Sequence, residues 1–481
     1  MSSEARTDFI CINCKTELML VSDTFHCGSC QQEYLVFDKV CLLVDKPMAY
    51  VAESYFLYKA HIRAQRNEVK KLKSYFEGKK EKAGIINNLI IAIEHNAGLV
   101  EQITKKLLPH VAPELLFQAQ TNPTNQFSDY LKDFRYMRRD WVWDKEGELQ
   151  LAIINQSLKE TIQTSITQPT NVLVLGAGLG RIAYDLSDSF EKVYATDYSF
   201  SMAHFFQRLT CEEILFYEVN TNNIYSNTDY TRKLKASVSA PFNKQDSLTK
   251  DIRKVEYFIA DVQRLPLKDK SVSCVVSAYF TDVLAWKLWF KEVKRVLKDG
   301  GLFIHFGPLG YPFGDVSERL SAESIKYQLL KDGFQICTDD RVSTKHLDSI
   351  TSMETSLHSC WLLGARKEPT DTSLEPKQLT SLSVLAIAKE LSYRITGQIG
   401  LTSLVHEADT ETETTELIFD HDQVYTGAGV ALVILKLING RRNLEQIMEQ
   451  LSVLYQIGET ETDHIYRTIR DLIEKSIVKI N

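Results

Sequence analysis

Residues 171–181 read N-V-L-V-L-G-A-G-L-G-R, and residues 194–200 read Y-A-T-D-Y-S-F. Val172, Leu173, Val174 and Leu175 form an apolar run of the length of a buried parallel strand. Gly176, Gly178 and Gly180 follow where the backbone must turn tightly and approach a ligand. The second stretch ends its apolar part at Asp197, roughly 20 residues on, where a carboxylate at a strand's carboxyl end accepts hydrogen bonds from both ribose hydroxyls. Together they predict a nucleoside pocket at a strand-to-helix glycine turn.

The identity of the nucleoside turns on one position. In the dinucleotide pattern G-x-G-x-x-G the third glycine lets helix and strand pack beneath a pyrophosphate, but counting from Gly176 that place holds Arg181. The spacing here is G-x-G-x-G, which resembles the first motif of class I S-adenosylmethionine (SAM) methyltransferases, whose cofactor carries no phosphate. Downstream, V-E-Y-F-I-A-D-V-Q-R-L-P (255–266) reads as a third strand ending in Asp261, placed to reach an adenine amino group. S-V-S-C-V-V-S-A-Y-F-T-D (271–282) reads as a fourth, with Ser277 assigned to the cofactor set. Residues 289–306 then put Phe290, Val293, Val296 and Leu297 at helical spacing, stop the helix at Gly300 and Gly301, and enter a fifth strand. Alternating strands and helices predict an α/β fold, a doubly wound, Rossmann-like parallel sheet with its ligand at the strands' carboxyl ends. Gly176, Asp197, Asp261 and Asp282 all fall at such ends.

D-Y-S-F-S-M (197–202), Y-F-T-D (279–282), G-P-L-G-Y (307–311) and R-R-D-W (138–141) resemble signatures of the carnosine N-methyltransferase family, over about residues 134 to 367. The resemblance implies that Asp282 grips the imidazole of a substrate histidine, that Arg139 helps hold the cofactor's carboxylate, and that Tyr311 belongs to the catalytic set. A carboxylate on one imidazole N–H fixes the tautomer and aims the other nitrogen's lone pair at the methyl group. The bland alternative is that Asp282 caps a helix beginning near Val283. His305 and His358 read either as bases or as satisfied core residues. The chain also departs from the family: Pro312 stands where a histidine is usual, S-I-T-S-M-E-T-S-L-H-S (349–359) lacks the family's tyrosines, and Asp197 replaces a preferred glutamate. The first two departures point away from carnosine itself, and the third keeps an equivalent ribose acceptor. Methyl transfer from a sulfonium needs alignment and exclusion of water, with no metal and no covalent nucleophile.

Outside this core, Cys11-x-x-Cys14 and Cys27-x-x-Cys30 form two knuckles that can bring four thiolates around structural Zn2+, with disulfides as the rival reading. Cys41, Cys211, Cys274, Cys337 and Cys360 stand singly in apolar contexts and read as core. Short ribbons of this kind resemble substrate or partner contacts appended to bacterial methyltransferases. Ile86, Leu89, Ile90 and Ile93 mark a helical apolar face, and the charged run 66–82 reads as a solvated helix face or a surface for nucleic acid or an acidic partner. The polar stretch 220–251 reads as a lid or a disordered insertion.

The C-terminal stretch 417–451 resembles PqqD-like domains, small winged-helix modules that bind peptides as an added strand. Leu444, Ile447, Met448 and Leu451 share one helix face, and Ile465, Ile469, Leu472 and Ile473 supply another. Residues 416–481 carry seven Lys/Arg against ten Asp/Glu, the wrong sign for neutralising phosphates. The whole chain, 481 residues with a formal charge of −7, likewise argues against a general nucleic-acid binder. No apolar run reads as a membrane span, and residues 1–9 lack the basic start and apolar core of a signal peptide, so a cytoplasmic protein is expected.

The expected organisation is a zinc ribbon (1–46), a helical segment (47–130), a methyltransferase domain (131–367), a linker with a helix (368–415) and a PqqD-like domain (416–481). The expected function is SAM-dependent N-methylation of a side chain, histidine foremost, in a peptide or protein docked by the C-terminal module. The alternatives are methylation of a small imidazole or amine metabolite, and a non-catalytic regulator that senses SAM and binds nucleic acid. The oligomeric state is left open.

Overall fold

The computed structural model describes residues 5–21, 24–121, 134–166, 169–219, 224–239 and 250–369. Toward the C-terminus it describes 385–387, 393–396, 415–419, 423–427, 429–438, 441–454, 459–474 and 477–480. Met1–Thr370 forms one compact unit and Asp371–Asn481 a second.

The first unit begins with β1 (Ala5–Ile10), β2 (Glu17–Val21), β3 (Thr24–Cys27), β4 (Glu33–Phe37) and β5 (Val40–Leu43). Helices α1 (Pro47–Tyr75), α2 (Ala83–Leu107), α3 (Pro113–Thr121), α4 (Arg135–Trp141) and α5 (Lys145–Ser165) follow. The alternating part comprises β6 (Asn171–Leu175), α6 (Arg181–Leu186), β7 (Lys192–Asp197), α7 (Phe200–Leu209), β8 (Ile214–Val219) and β9 (Thr231–Ala236). It continues through β10 (Val255–Ala260), β11 (Val272–Ala278), α8 (Trp286–Val296), β12 (Leu297–Gly307), α9 (Ala322–Lys331), β13 (Phe334–His346) and β14 (Ser356–Lys367).

A sheet of twelve strands runs in the order β1-β2-β3-β4-β5-β10-β7-β6-β11-β12-β14-β13. From β5 to β12 the pairings are parallel, and β14 and β13 close the far edge antiparallel. The chain winds outward from β6 through β7 to β10, then returns to β11 on the other side of β6, and ligands bind at such a switch between strand ends. Val172 and Val174 of β6 enter the core on one face and Leu173 and Leu175 the core on the other, so both faces are covered and the strand is apolar throughout. The doubly wound sheet is thus as the sequence predicts. The helix before β12 ends at Val296 rather than at the glycines, and Gly300 lies inside β12 with φ of +77°.

The cysteine-bearing strands are not an appended domain. β5 pairs in parallel with β10, placing Cys41 opposite Phe258. The Ile10 amide donates to Pro266 O at 3.0 Å, and Phe9 is fully buried among Phe25, Tyr194 and Phe258. The expected boundaries at 46/47 and 130/131 therefore fall inside one compact unit. The reason is apolar burial: a short ribbon has too little core of its own and completes it on the sheet.

Two further expectations change. Within 220–251, Thr231–Ala236 pairs antiparallel with β8, and the Asn96 side chain of α2 bonds both the N–H and the C=O of Tyr217 like a third strand. This is a hairpin arm in place of a lid, although 220–223 and 240–249 lie outside the described residues. Among the described residues one stretch, Lys80–His110, is long and apolar enough to cross a membrane, contrary to the sequence reading, and half of its apolar window is buried inside the molecule. Between α1 on one side and β8 on another, α2 needs apolar residues on more than one face.

The second unit holds β15 (Leu385–Ile387), β16 (Tyr393–Thr396), β17 (Thr415–Phe419), β18 (Gln423–Gly427), α10 (Gly429–Leu437), α11 (Leu444–Leu454), α12 (Glu459–Glu474) and β19 (Val478–Ile480). Within 368–415, where a helix is expected, β15 pairs with β19 and β16 with β17, and the rest of that expectation lies outside the described residues. Leu385 is fully buried in the β15–β19 pairing. Leu444, Ile447, Leu451, Ile465, Ile469 and Leu472 form the module's core as their helical spacing predicts, with Met448 and Ile473 at its edge.

Because Phe9 sits where ribbon and sheet share one core, Phe9→Ala is expected to cost the first unit about 3–5 kcal/mol. Urea unfolding followed by tryptophan fluorescence checks this, with one shifted transition expected rather than a separate early loss of the ribbon.

Candidate active site and metal centre

The glycine turn after β6 has left-handed φ at Gly176 (+57°), Gly178 (+54°) and Gly180 (+74°). Gly180 starts α6, and a β-carbon there would meet the Phe206 ring at 2.4 Å, so glycine allows α7 to pack against the turn. At Gly178 a β-carbon would meet nothing within 4 Å, so this glycine borders open space. That space adjoins Asp197, whose Oδ2 accepts the Gly178 N–H at 2.9 Å while Oδ1 accepts the Ser199 N–H at 2.9 Å. Each carboxylate oxygen keeps a lone pair for a further donor, as a ribose diol requires. Burial pushes the Asp197 carboxyl up, and the backbone N–H groups of Ser199, Gly178 and Tyr198 pull against it. These features fit the nucleoside half of SAM.

Asp261 follows β10 and accepts the Gln263 N–H at 2.9 Å, capping a short turn at the next strand end along. Arg139 of α4 is buried, lies over the Tyr136 ring at 5.2 Å and donates from Nε to Asp140 at 2.6 Å. Among the described residues this is its only hydrogen bond, and its charge is felt at Tyr279 and His346. Ser277 departs from the sequence reading: its side chain is fully buried, and its hydroxyl bonds Thr281 Oγ1 at 2.7 Å rather than facing the turn. Thr281 in turn bonds His305 Nδ1 at 2.8 Å, and His305 Nε2 donates to Gly307 O at 3.2 Å. Burial pushes His305 down to about 4, so it is a neutral, satisfied core residue and not a base.

At the end of β11, Tyr279 takes a left-handed φ of +55°. Its ring stacks on His346 at 5.1 Å, and His346 stacks on His358 at 4.4 Å. Gln150 of α5 fixes this wall, donating to Tyr279 Oη at 3.3 Å and to His346 Nδ1 at 3.2 Å while accepting the Leu347 N–H at 3.1 Å. Burial, then the Arg139 charge, holds His346 down at about 3, so its ring is neutral. His358 Nδ1 is buried without a partner among the described residues.

Asp282 Oδ2 accepts the Gly310 N–H at 2.7 Å. Burial pushes its carboxyl up, while His358 is close enough for its charge to pull it down. The cap reading fails: α8 begins at Trp286 with Ala285 as its N-cap and no side-chain cap. Tyr311 lies near Asp282, but its hydroxyl donates to Leu320 O at 2.7 Å, and burial with the Asp282 charge pushes it up to about 12. That leaves Tyr311 a packing group beside Asp282 rather than a proton carrier. Gln150 and His346 stand in no local motif, and Tyr279, although it opens Y-F-T-D, carries no sequence sign of this contact, because these side chains meet only across α5, β11 and the β13–β14 hairpin.

Arg138 and Arg139, adjacent in sequence, do different work. Arg138 is 1% exposed and paired with Glu146 at 2.9 Å, Glu218 at 3.3 Å and Asp144 at 3.4 Å, and it also donates to Leu347 O at 3.1 Å. It ties the hairpin bearing His346 to α5 and β8.

The four thiols of Cys11, Cys14, Cys27 and Cys30 all lie within 4.8 Å of one another. Sγ pairs stand 3.5 Å apart for Cys11 and Cys30 and 3.2 Å for Cys14 and Cys27, and all four are free of disulfides. Tetrahedral zinc–thiolate bonds put sulfurs about 3.8 Å apart, so the cluster is compatible with such an ion. Although burial raises the Cys27 thiol, N–H groups of Cys30 and Ser29 and the Thr16 hydroxyl draw it down to about 6.

The family model for carnosine N-methyltransferase matches residues 117–369, more than half of the chain. The chain belongs to that family. Its reaction class is therefore SAM-dependent N-methylation, as the sequence predicts, and the alternative of a non-catalytic regulator falls away. The family relative from Mus musculus, a carnosine N-methyltransferase, is 27% identical over 305 residues, covering 59% of this chain and 70% of its own. The carnosine N-methyltransferase of Schizosaccharomyces pombe is 23% identical over 351 residues, covering 64% of this chain and 92% of its own. Among solved structures, magnesium protoporphyrin IX methyltransferase of Synechocystis with bound SAM is 14% identical with a TM-score of 0.31, covering 51% of this chain and all of that one. Protein PH0226 of Pyrococcus horikoshii is 17% identical with a TM-score of 0.32, covering 50% and 100%. The fold class stands on the family match and the strand order.

The two glycines are expected to differ in their effect on SAM binding. Gly180→Ala is expected to lower stability by about 1–3 kcal/mol through its clash with Phe206 and its backbone strain. Gly178→Val carries backbone strain of the same origin but no side-chain clash, and is expected in addition to weaken SAM binding. Urea unfolding and titration calorimetry on both variants check the split.

Proposed function

We propose that this enzyme methylates a ring nitrogen of a histidine side chain in a peptide or protein. The observation that carries the reading is the Asp282 carboxylate, held by the Gly310 N–H in a partly buried place beside His358 and its ring stack. When bound, the sulfonium cofactor supplies the methyl group, and Gly176, Gly178, Gly180, Asp197, Asp261 and Arg139 are the residues we assign to hold it. Asp282 accepts the N–H of one ring nitrogen, leaving the lone pair of the other free to form the N–C bond as the C–S bond breaks. Positive charge then reaches the ring, and the carboxylate stabilises it and takes the proton. The wall of Tyr279, His346 and His358 offers a flat face to an aromatic acceptor and keeps water from its side.

The histidine reading draws on the family, whose named relatives act on carnosine. Pro312 and the tyrosine-free stretch 349–359 favour a different imidazole compound. The C-terminal module supports a peptide: its β16–β17–β18 sheet has edge strands that an extended segment can join, and its net charge is negative. In this reading the four-cysteine cluster holds structural zinc, and the chain works in the cytoplasm, where its free thiols persist.

Turnover tests the chemistry. Asp282→Asn is expected to keep the fold and SAM affinity but lower kcat by about 100-fold or more, because an amide no longer stabilises the arriving charge. Truncation before residue 416 is expected to raise KM for a peptide substrate while leaving SAM binding intact. Methyl groups found by mass spectrometry only on carboxylate, hydroxyl or nucleic-acid acceptors would refute the histidine assignment. Elemental analysis is expected to find about one zinc per chain, lost when Cys27 and Cys30 are replaced by serine.

A further inference from the structure

The N-terminal helix α1 lies before the family-matched region, yet it reaches the loop that carries Asp197. Tyr50, Ser54 and Tyr58 recur at four-residue spacing on one buried face, with both tyrosines 3% exposed. The Tyr50 hydroxyl donates to Tyr198 O at 2.5 Å, and its ring meets the Tyr198 ring edge-on at 5.2 Å. The Tyr58 hydroxyl accepts the Ser201 N–H at 2.9 Å. Ser201 is in the first turn of α7, where backbone N–H groups have no partner within their own helix. Both hydroxyls thus close on the four residues that follow Asp197, while Asp197 itself accepts the Ser199 N–H from inside the same segment. Phenylalanine at either position would fill the same apolar space, so what the hydroxyls add is a grip on this backbone.

The sheet anchors α1 at the same end as these tyrosines. Its first turn follows β5 by three residues, and β5 pairs with β10, the neighbour of β7, whose last residue is Asp197. Both approaches to Asp197 therefore depend on the N-terminal region.

We propose that α1 is a cofactor-positioning element: the hydroxyls of Tyr50 and Tyr58 hold the backbone at 198–201, and through it the Asp197 carboxylate, in the geometry that receives a ribose diol. This rests on the assignment of Asp197 to the cofactor ribose.

The test titrates SAM calorimetrically into the full-length chain, the Tyr50→Phe/Tyr58→Phe double variant, and Asp197→Ala as reference. The double variant is expected to bind SAM about tenfold more weakly, the effect of one or two lost hydrogen bonds. Amide hydrogen exchange supplies the readout that general destabilisation would not mimic. Gly178, Ser199 and Ser201 are expected to exchange faster in the double variant, while β6 and β11 keep their protection. Should the double variant fail to fold, Tyr58→Phe alone must still speed exchange at Ser201. Weakened binding in Asp197→Ala with unchanged affinity in the tyrosine variant overturns the proposal alone. Unchanged affinity in Asp197→Ala overturns the ribose assignment and the proposal with it. Faster exchange spread evenly over the unit reduces the tyrosines to packing and overturns it too.

Discussion

Arg181 is 3% exposed at the foot of the glycine turn, and a guanidinium buried there must be fully paired, because an uncompensated interior charge costs several kcal/mol. It bonds Asp185 within α6 and Glu148 of α5, each at 3.0 Å, reaches the Asp140 carbonyl of α4, and lies over the Trp143 ring at 4.0 Å. One side chain thereby fixes α4, α5 and α6 around the start of the cofactor turn. Trp141 adds a bond from its indole N–H to Leu179 O at 2.8 Å, inside the turn itself. The residue that breaks the dinucleotide pattern is thus the one that builds this site. The place where another fold needs a glycine for a pyrophosphate is taken here by a cation that faces protein.

Shared burial likewise joins the N-terminal strands to the catalytic sheet. β5 extends the parallel run beyond β10, and the cysteine cluster stands over a core shared with Phe258, Leu265 and Leu267. Lys15 lies 3.8 Å from Glu292 of α8, and Glu292 in turn accepts the Leu265 N–H at 2.8 Å. The cysteine knuckles therefore brace the strand-to-helix connections on one flank of the sheet, whatever else they contact.

Beyond β11, a tyrosine with left-handed backbone stacks on a histidine held neutral by burial, and the carboxyl of Asp282 is raised by burial as well. Low polarity around Asp282 strengthens its attraction for any positive charge that develops beside it. His305, the more conspicuous histidine in the sequence, is by contrast closed into the chain Ser277–Thr281–His305–Gly307. Position in a strand says nothing about whether a ring nitrogen is spoken for.

Local rules carried the parallel strands, the glycine turn and the four-cysteine cluster. A strand buried on both faces must be apolar throughout, a left-handed turn calls for glycine, and knuckle spacing sets which thiols meet. The sequence likewise marked Asp197, Asp261 and Asp282 as strand-end carboxylates. It could not tell Arg138 from Arg139, nor show that Ser277 turns inward, because the same local spacing serves either orientation. Tertiary structure alone decided that Tyr50 and Tyr58 reach the Asp197 loop, that Gln150 aligns Tyr279 with His346, and that residues 385–387 become a strand. Each of these depends on partners roughly 90 to 200 residues away along the chain. Strand pairing and side-chain convergence at such range are settled by which surfaces the folded core buries together, and no window of sequence contains both halves of those contacts.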